Sequence, residues 1–275
     1  MLLAVALVQL DATEDVAANI ERAAALADRA AADGARLVAM PEYLHYRGPD
    51  DGFRASASDI PGPLTAPFAA IAHDRDAWLL LGSIAERSAD PDRPYNTSVL
   101  IAPDGSVAAT YRKIHLFDVD VDRGPADIES DRVSAGSDAT CVDVDGVSVG
   151  LTICYDLRFP ELYRTLALAG AEVMIVPANF TERTGRDHWE VLLRARAIEN
   201  GAWILAPSQI HGPPGQPAFG RSMIIDPWGT VVAQAADEVG IITARIETDR
   251  VAAVRRQIPV LANRRPEAYR LGYGR

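Results

Sequence analysis

Residues 147–161 read Val147-Ser148-Val149-Gly150-Leu151-Thr152-Ile153-Cys154-Tyr155-Asp156-Leu157-Arg158-Phe159-Pro160-Glu161, a passage from a strand into a helix. The apolar run up to Ile153 predicts the strand, and Pro160 with Glu161 suits the first turn of a helix that carries Leu162, Leu166 and Leu168 onto a core. Cys154 is thus placed on the turn, where a helix dipole lowers a thiol pKa and backbone N–H groups can meet an oxyanion. The alternative is a buried structural cysteine, a description that fits Cys141 better because it lies inside the alternating stretch 139–144.

A glutamate follows another predicted strand. The segment Ala35-Arg36-Leu37-Val38-Ala39-Met40-Pro41-Glu42 is apolar until the proline, which stops a strand ladder. A carboxylate at the carboxyl end of a strand stands where open α/β folds place their sites. A solvated loop end is the alternative interpretation of Glu42.

Only one of the 27 basic side chains is a lysine, Lys113, in Tyr111-Arg112-Lys113-Ile114-His115-Leu116-Phe117-Asp118. Lysine is a compact point charge with a movable pKa, whereas arginine is a permanently charged planar fork. The count alone leaves a specific task for Lys113 and compositional drift equally open, and the segments around Cys154 and Glu42 favour the specific task. Together, Glu42, Lys113 and Cys154 supply a base, a cation and a nucleophile, each at or near the end of a predicted strand.

These segments resemble the nitrilase superfamily of carbon–nitrogen hydrolases, and within it the Nit branch of omega-amidases and deaminated-glutathione amidases. The resemblance extends to His188-Trp189-Glu190, to residues 194–200 and to Asp226-Pro227-Trp228-Gly229, so it spans nearly the whole chain. It implies a four-layer α-β-β-α sandwich, commonly paired through a helical layer into a dimer, with residues 246–275 as a tail on a partner subunit. It also implies a Glu-Lys-Cys triad with a second glutamate, for which Glu129 in an Asp-rich insert (residues 118–138) is the best match.

The resemblance gives each residue a role in amide hydrolysis. Cys154, deprotonated by Glu42, attacks the amide carbon, and Lys113 with the Tyr155 backbone N–H stabilises the oxyanion. Glu129 orients Lys113 and the substrate nitrogen.

A short carboxylate-bearing amide is the implied substrate, with Tyr155, Arg158, Phe180 and Thr184 around it. Arg158 either holds the carboxylate bidentately or forms a structural pair with Asp156 or Glu161. Arg183 and Arg186 either add positive charge near the site or are merely solvated, and residues 209–219 form either a lid or a passive loop.

Composition excludes several classes of function. The formal charge of −11 argues against nucleic acid and anionic lipid as partners.

The apolar start, Met1 to Leu10, is too short for a membrane span and has no basic leader, so we expect a first strand and a cytoplasmic protein. Two cysteines make no disulfide framework.

No cofactor or metal is expected, because the five histidines lack ligand spacing and no phosphate-binding glycine loop is present. A papain-like protease using His188 and Asn200 competes as an enzyme interpretation, but it leaves the single lysine unexplained. A non-catalytic dimeric scaffold would have no need for all three triad residues. Nitrilase or N-carbamoyl amidohydrolase activity on the same fold stays open.

The length fits one large α/β domain, or at most two smaller ones, and no linker or repeat divides the chain. We expect residues 1–275 to form a single domain. A helix capped by Thr13 is predicted up to Gly34, a second ends near Asp76, and others follow Arg158 and Asp187. The predicted strands are 2–10, 36–40, 78–84, 97–102, 106–112, 173–176, 203–206, 223–225 and 231–233. Strands 97–102 and 106–112 form one predicted hairpin, and strands 223–225 and 231–233 form another, each around a turn that contains proline.

Overall fold

The computed structural model describes residues 2–119, 127–213 and 217–268. Within them the strands are, in chain order, β1 (Leu2–Gln9), β2 (Leu37–Ala39), β3 (Trp78–Glu86), β4 (Tyr95–Ile101), β5 (Val107–Arg112), β6 (Asp118–Val119), β7 (Asp127–Ile128), β8 (Thr140–Val144), β9 (Val147–Leu151), β10 (Val173–Ile175), β11 (Trp203–Ala206), β12 (Ile210–His211), β13 (Ala218–Phe219), β14 (Met223–Ile225), β15 (Val231–Gln234) and β16 (Gly240–Glu247). The α-helices are α1 (Val16–Ala32), α2 (Asp50–Ala55), α3 (Ala66–Arg75), α4 (Pro160–Leu168), α5 (Glu182–Asn200) and α6 (Asp249–Gln257). Short 3-10 helices cover Glu129–Asp131, Cys154–Arg158 and Pro266–Ala268.

Two six-stranded sheets form the centre of the molecule, in the orders β16-β1-β2-β3-β4-β5 and β15-β14-β11-β10-β9-β8. In the first sheet β1, β2 and β3 run parallel, and in the second β9, β10 and β11 do so. The outer strands of both sheets pair antiparallel. The parallel strands of each sheet therefore end on a common edge, where α/β folds collect functional side chains.

Alternation along β1 shows how the layers stack. Leu3 and Val5 belong to one buried cluster with Val149 of β9, so this face of the first sheet meets the second sheet. The residues of the other face, Ala6 and Val8, belong to a second buried cluster together with residues of α1 and α3. Helices α4 and α5 pack with the second sheet. The predicted four-layer α-β-β-α sandwich is confirmed.

Several boundaries differ from the predictions. Asp15, not Thr13, caps α1, because its carboxylate accepts the N–H of Ala18 while the Thr13 hydroxyl accepts the N–H of Asp15. Pro160 and Glu161 do open α4, but Leu168 at its end is 51% exposed and contributes nothing to the core. Helix α5 begins at Glu182, before the predicted start after Asp187.

The segment 246–275 is only partly a tail. Its first two residues complete β16, which pairs along the whole of β1. Helix α6 then packs on its own chain through buried Val251 and Val254, and Arg255 donates to the Ala171 carbonyl. Residues 269–275 lie outside the described part, and the contact with a partner subunit stays a prediction.

Candidate active site

Glu42, Lys113, Glu129 and Cys154 meet at one end of the two sheets. Glu42 follows β2 and Lys113 follows β5 of the first sheet, while Cys154 lies three residues beyond β9 of the second sheet. Glu129 opens a 3-10 helix directly after β7. The structure thus brings together all four residues that the sequence singles out, from both sheets and one short connection.

Lys113 lies between two carboxylates, and we call Glu42, Lys113 and Glu129 the carboxylate–lysine cluster. Its Nζ lies 3.0 Å from Glu42 Oε1, 2.8 Å from Glu129 Oε2 and 3.1 Å from Glu129 Oε1. The lysine side chain is 2% exposed and each glutamate side chain 1%. The three groups are therefore held in fixed positions with almost no water between them.

Electrostatics keeps the lysine charged. Burial alone lowers the pKa of Lys113, but the negative charges of Glu129 and Glu42 outweigh it and raise that pKa well above its usual value. For Glu129, burial raises the pKa, but the Lys113 ammonium together with the hydrogen bonds from the Tyr43 hydroxyl and the Phe117 N–H outweighs it, so the net shift is downward. At neutral pH the cluster holds an ammonium beside an ionised Glu129.

Cys154 begins the turn from Ile153 to Phe159, which we call the cysteine turn. Its φ is +45°, a left-handed conformation that non-glycine residues adopt only when the surroundings hold them. The Cys154 N–H donates to the Pro177 carbonyl at 2.8 Å, and Arg196 donates twice to the Leu157 carbonyl, at 3.0 and 2.7 Å. Neighbouring chain segments thus hold the strained turn in place.

The thiol pKa differs from the expectation that a helix dipole lowers it. Burial raises the pKa of Cys154 well above its usual value, and the charge of Glu42 raises it further, although Lys113 opposes this. The turn continues as a short 3-10 helix, and α4 starts only at Pro160, so no long helix dipole points at the sulfur. Because the Glu42 carboxylate is close enough to raise this pKa, the thiol proton has an acceptor nearby.

Sequence reasoning missed the groups that hold the two glutamates, among them the Phe117 backbone N–H, which donates to Glu129 Oε2 at 2.6 Å. Asn96 Nδ2 donates to Glu42 Oε1 at 3.0 Å, and the Asn179 backbone N–H donates to Glu42 Oε2 at 2.8 Å. The Tyr43 hydroxyl donates to Glu129 Oε1 at 2.6 Å. The positions of Asn179 and Tyr43 in the sequence could have indicated that they lie near the site, because Asn179 follows the buried strand 173–176 and Tyr43 follows Glu42.

A cavity of about 1190 Å³ opens from this cluster. Its walls include the four residues expected around a ligand, Tyr155, Arg158, Phe180 and Thr184. Phe180 is buried, and the hydroxyl of Thr184 lies 2.7 Å from that of Thr181. The cavity therefore joins the cluster to a partly aromatic wall that carries positive charge.

Arg158 forms neither of the structural pairs considered above. Its guanidinium carbon lies 5.2 Å from the ring centre of Phe180, and Nη1 donates to His188 Nδ1 at 3.3 Å. Asp156 binds His115 and Tyr111 instead. Among the described residues Arg158 therefore lines the cavity without an ion-pair partner.

The other expected cavity features are present in part. Arg183 and Arg186 line the cavity, and Arg186 is ion-paired with Glu182. The loop 209–219 is anchored by the β12–β13 pair and by Gln209, whose amide donates to the Glu42 carbonyl at 2.9 Å. Residues 214–216 of this loop, and residues 120–126 of the Asp-rich insert, lie outside the described residues.

Two alternatives find no support in the geometry. His188 and Asn200 are twelve positions apart on α5, or roughly 18 Å along a helix, so Asn200 cannot orient His188 through a hydrogen bond as the asparagine of a papain-like Cys-His-Asn site does. Across residues 2–119, 127–213 and 217–268, no group of three or more His, Cys, Asp or Glu side chains could hold a metal ion. The same part of the chain has no helix that is long and apolar enough to cross a membrane.

Comparison with known proteins places this arrangement in a family. A model of the carbon–nitrogen hydrolase family matches residues 4–256. The chain belongs to the carbon–nitrogen hydrolases. A deaminated glutathione amidase of Synechocystis is 41% identical over 94% of this chain and 97% of its own length. Omega-amidase NIT2 of Mus musculus is 36% identical over 96% and 95%, respectively.

A solved structure gives the same answer for the fold. The NitFhit protein of C. elegans superposes with a TM-score of 0.92 at 33% identity, covering 98% of this chain and 66% of that longer chain. The expectations of a nitrilase-type fold and of a carbon–nitrogen hydrolase are confirmed. The roles of the individual site residues stay predictions.

Proposed function

We propose that this carbon–nitrogen hydrolase cleaves the amide bond of a small carboxylate-bearing amide and releases ammonia. The observation that carries the proposal is the buried carboxylate–lysine cluster beside Cys154, at the base of a cavity that presents Arg158. Deaminated glutathione amidase and omega-amidase relatives support the amide as the reacting group.

The first half of the reaction forms a thioester. Glu42 accepts the Cys154 proton as the sulfur attacks the amide carbon, so the negative charge moves from the carboxylate to the former carbonyl oxygen. Lys113 and the Tyr155 N–H stabilise this oxyanion. Glu42 then gives its proton to the leaving nitrogen, the carbon–nitrogen bond breaks, and ammonia departs.

The second half returns the enzyme to its starting state. Glu42 takes a proton from a water molecule, whose oxygen attacks the thioester carbon. The carbon–sulfur bond breaks, the thiolate recovers the proton from Glu42, and a carboxylic acid leaves. Glu129 keeps Lys113 in position through both halves, because its carboxylate accepts two of the ammonium contacts.

Arg158 supplies the preference for a carboxylate. A cation that pairs with a substrate carboxylate is left unpaired by a neutral analogue, at a cost of roughly 2–5 kcal/mol. The aromatic rings of Tyr155 and Phe180 flank the guanidinium and restrict its positions. Thr184, at the same wall, adds a hydroxyl that can donate to the second carboxylate oxygen.

An ammonia-release panel tests the proposal. We expect succinamate, alpha-ketoglutaramate or deaminated glutathione to react far faster than propionamide or a nitrile. Arg158→Met should remove this preference, whereas Arg186→Met should keep it, because Arg186 lines the cavity but is already paired with Glu182. Equal rates on succinamate and propionamide would defeat the carboxylate anchor and leave the cysteine chemistry standing. A clear preference for a nitrile would defeat the amidase assignment.

The setting of the enzyme completes the proposal. We expect a single domain over residues 1–275 that works in the cytoplasm, needs no cofactor or metal, and forms a homodimer or higher homo-oligomer. The acidic composition, with 38 acidic against 27 basic residues, supports a small-molecule substrate over nucleic acid. Light scattering in solution tests the oligomer.

A further inference from the structure

Asp156 is a fully buried carboxylate for which the proposed reaction has no use. It lies two residues after Cys154 and is 0% exposed. Its Oδ2 accepts the Ile153 N–H at 2.8 Å and the Tyr111 hydroxyl at 2.7 Å. Its Oδ1 accepts the His115 N–H at 3.1 Å and faces His115 Nδ1 at 2.7 Å. Because a carboxylate only accepts, both His115 groups donate to it.

The groups that donate hydrogen bonds to Asp156 come from two segments, one that carries Cys154 and one that carries Lys113. Ile153 directly precedes Cys154, while Tyr111 and His115 stand two residues before and two residues after Lys113. The His115 ring also stacks on Phe159, at the end of the cysteine turn, with centroids 3.7 Å apart. One carboxylate therefore joins the segment that carries the lysine to the turn that carries the thiol.

Asp156 itself stays away from the substrate. Tyr155 and Arg158, its neighbours in the turn, line the cavity, and Asp156 is absent from the cavity wall. Among the described residues, the one basic side chain that contacts Asp156 is His115, and the contact is an ion pair only when the imidazole is protonated. Any effect of Asp156 on the reaction must pass through the residues it holds.

We propose that Asp156 is a positioning residue that sets the placement of the Lys113 ammonium relative to the Cys154 thiol. The inference rests on the proposed function, because it assumes that these two groups act on the same substrate. Without Asp156, the end of β5 and the cysteine turn lose their direct polar link. A shift of about 1 Å between catalytic groups can cost on the order of a hundredfold in rate.

A double-mutant cycle on thiol reactivity tests this. The rate of Cys154 alkylation by iodoacetamide is measured, with peptide mapping, in wild type, Asp156→Asn, Lys113→Met and the double variant. Lys113 acts on the thiol electrostatically, so its displacement changes the rate. We expect Asp156→Asn to slow alkylation by about tenfold or more in the wild type and by less than about twofold when Lys113 is already absent.

The direction of the effect separates position from charge. Removing a negative charge near the thiol would by itself favour the thiolate and speed alkylation, so slowing points to displacement. The same slowing factor with and without Lys113 would overturn the proposal, and so would an unchanged rate. A loss of thermal stability without these kinetic effects would show a purely structural role, which also overturns it.

A second pair of variants covers the case in which Asp156→Asn does not fold. Tyr111→Phe removes one donor from the lysine side and should give the same non-additive pattern at a smaller factor. Tyr163→Phe is the matched control, because this buried hydroxyl contacts Thr152 and not Asp156. Additive behaviour of Tyr111→Phe, or equal effects of both variants, would contradict the proposal.

Alkylation does not depend on amide turnover. A wild-type enzyme that releases no ammonia from any amide would refute the proposed function, yet the cycle would still report whether Asp156 acts through Lys113. The two failures are therefore distinguishable.

Discussion

Replacing Lys113 by arginine tests why the chain has a single lysine. The lysine Nζ is surrounded by three carboxylate oxygens at 2.8–3.1 Å, and the side chain is 2% exposed. Arginine keeps the charge but needs room for a planar fork, and overfilling a packed site costs about 1–3 kcal/mol of stability. The charge would also be spread over the fork and moved from the oxyanion position.

The expected kinetic loss follows from that displacement. Losing one preorganised oxyanion donor costs about 2.7–4 kcal/mol, which is on the order of a hundredfold to a thousandfold in kcat. We therefore expect Lys113→Arg to lose at least about a hundredfold in ammonia release at saturating substrate, measured well below its unfolding temperature.

The adjacent residue provides a matched control. Arg112 is an exposed cation on β5 that is ion-paired with Glu86 at 2.7 Å, and Arg112→Lys makes the reverse exchange one position away. We expect kcat to stay within about twofold of wild type, because exposed ion pairs contribute only about 0–1 kcal/mol. A folded Lys113→Arg enzyme with the wild-type rate would refute the reasoning.

Three further predictions concern the surroundings of the cluster. Glu129→Gln should lower kcat by at least about tenfold, because the amide removes the negative charge and one of the two oxygens that contact the Lys113 ammonium. Steady-state ammonia release measures this, and an unchanged kcat would exclude a role for Glu129. Burial lowers the pKa of His45 from 6.5 to about 3, so the stability from keeping it neutral is present above pH 6.5 and is lost as the pH falls towards 3. The loss of free energy of unfolding is about 5 kcal/mol at most. Urea unfolding at several pH values measures it, and the free energy of unfolding of His45→Gln should depend less on pH than that of the wild type. Gly82→Ala should lower the free energy of unfolding by about 3 kcal/mol or more, because the added Cβ would stand 1.9 Å from the carbonyl oxygen of Met40, two residues before Glu42. Gly240 has open space around it, so Gly240→Ala should leave the free energy of unfolding nearly unchanged. Equal effects of the two substitutions would contradict the packing argument.

The sequence could predict residues that stand at the ends of regular elements. Glu42, Lys113 and Cys154 each lie at or shortly after the end of a strand, and strand ends on a common edge come together whatever the details of packing. Only the family resemblance identifies Glu129 as a site residue, because the strand before it has two residues and therefore no hydrophobic periodicity.

Contacts that depend on long-range packing could not be predicted. Asn179 donates to Glu42 through its backbone N–H, so its place after a buried strand puts it near the site, but its side-chain identity does not predict the contact. The sequence around Asp156 leaves a pair with Arg158 open, while two of the actual partners of Asp156, Tyr111 and His115, come from more than forty positions away. The sequence predicts a lowered pKa for Cys154, and this prediction is wrong. Burial beside Glu42 raises the thiol pKa and outweighs any helix dipole, and the turn in the sequence does not reveal that burial.

The most direct test of the central claim identifies the residue that carries the acyl group. The enzyme is mixed with its best amide, quenched in acid within one turnover, and examined by intact-mass and peptide mapping. We expect one acyl adduct on the peptide containing Cys154, retained in Cys141→Ala and absent in Cys154→Ala. An adduct on Cys141, or one that survives Cys154→Ala, would contradict it.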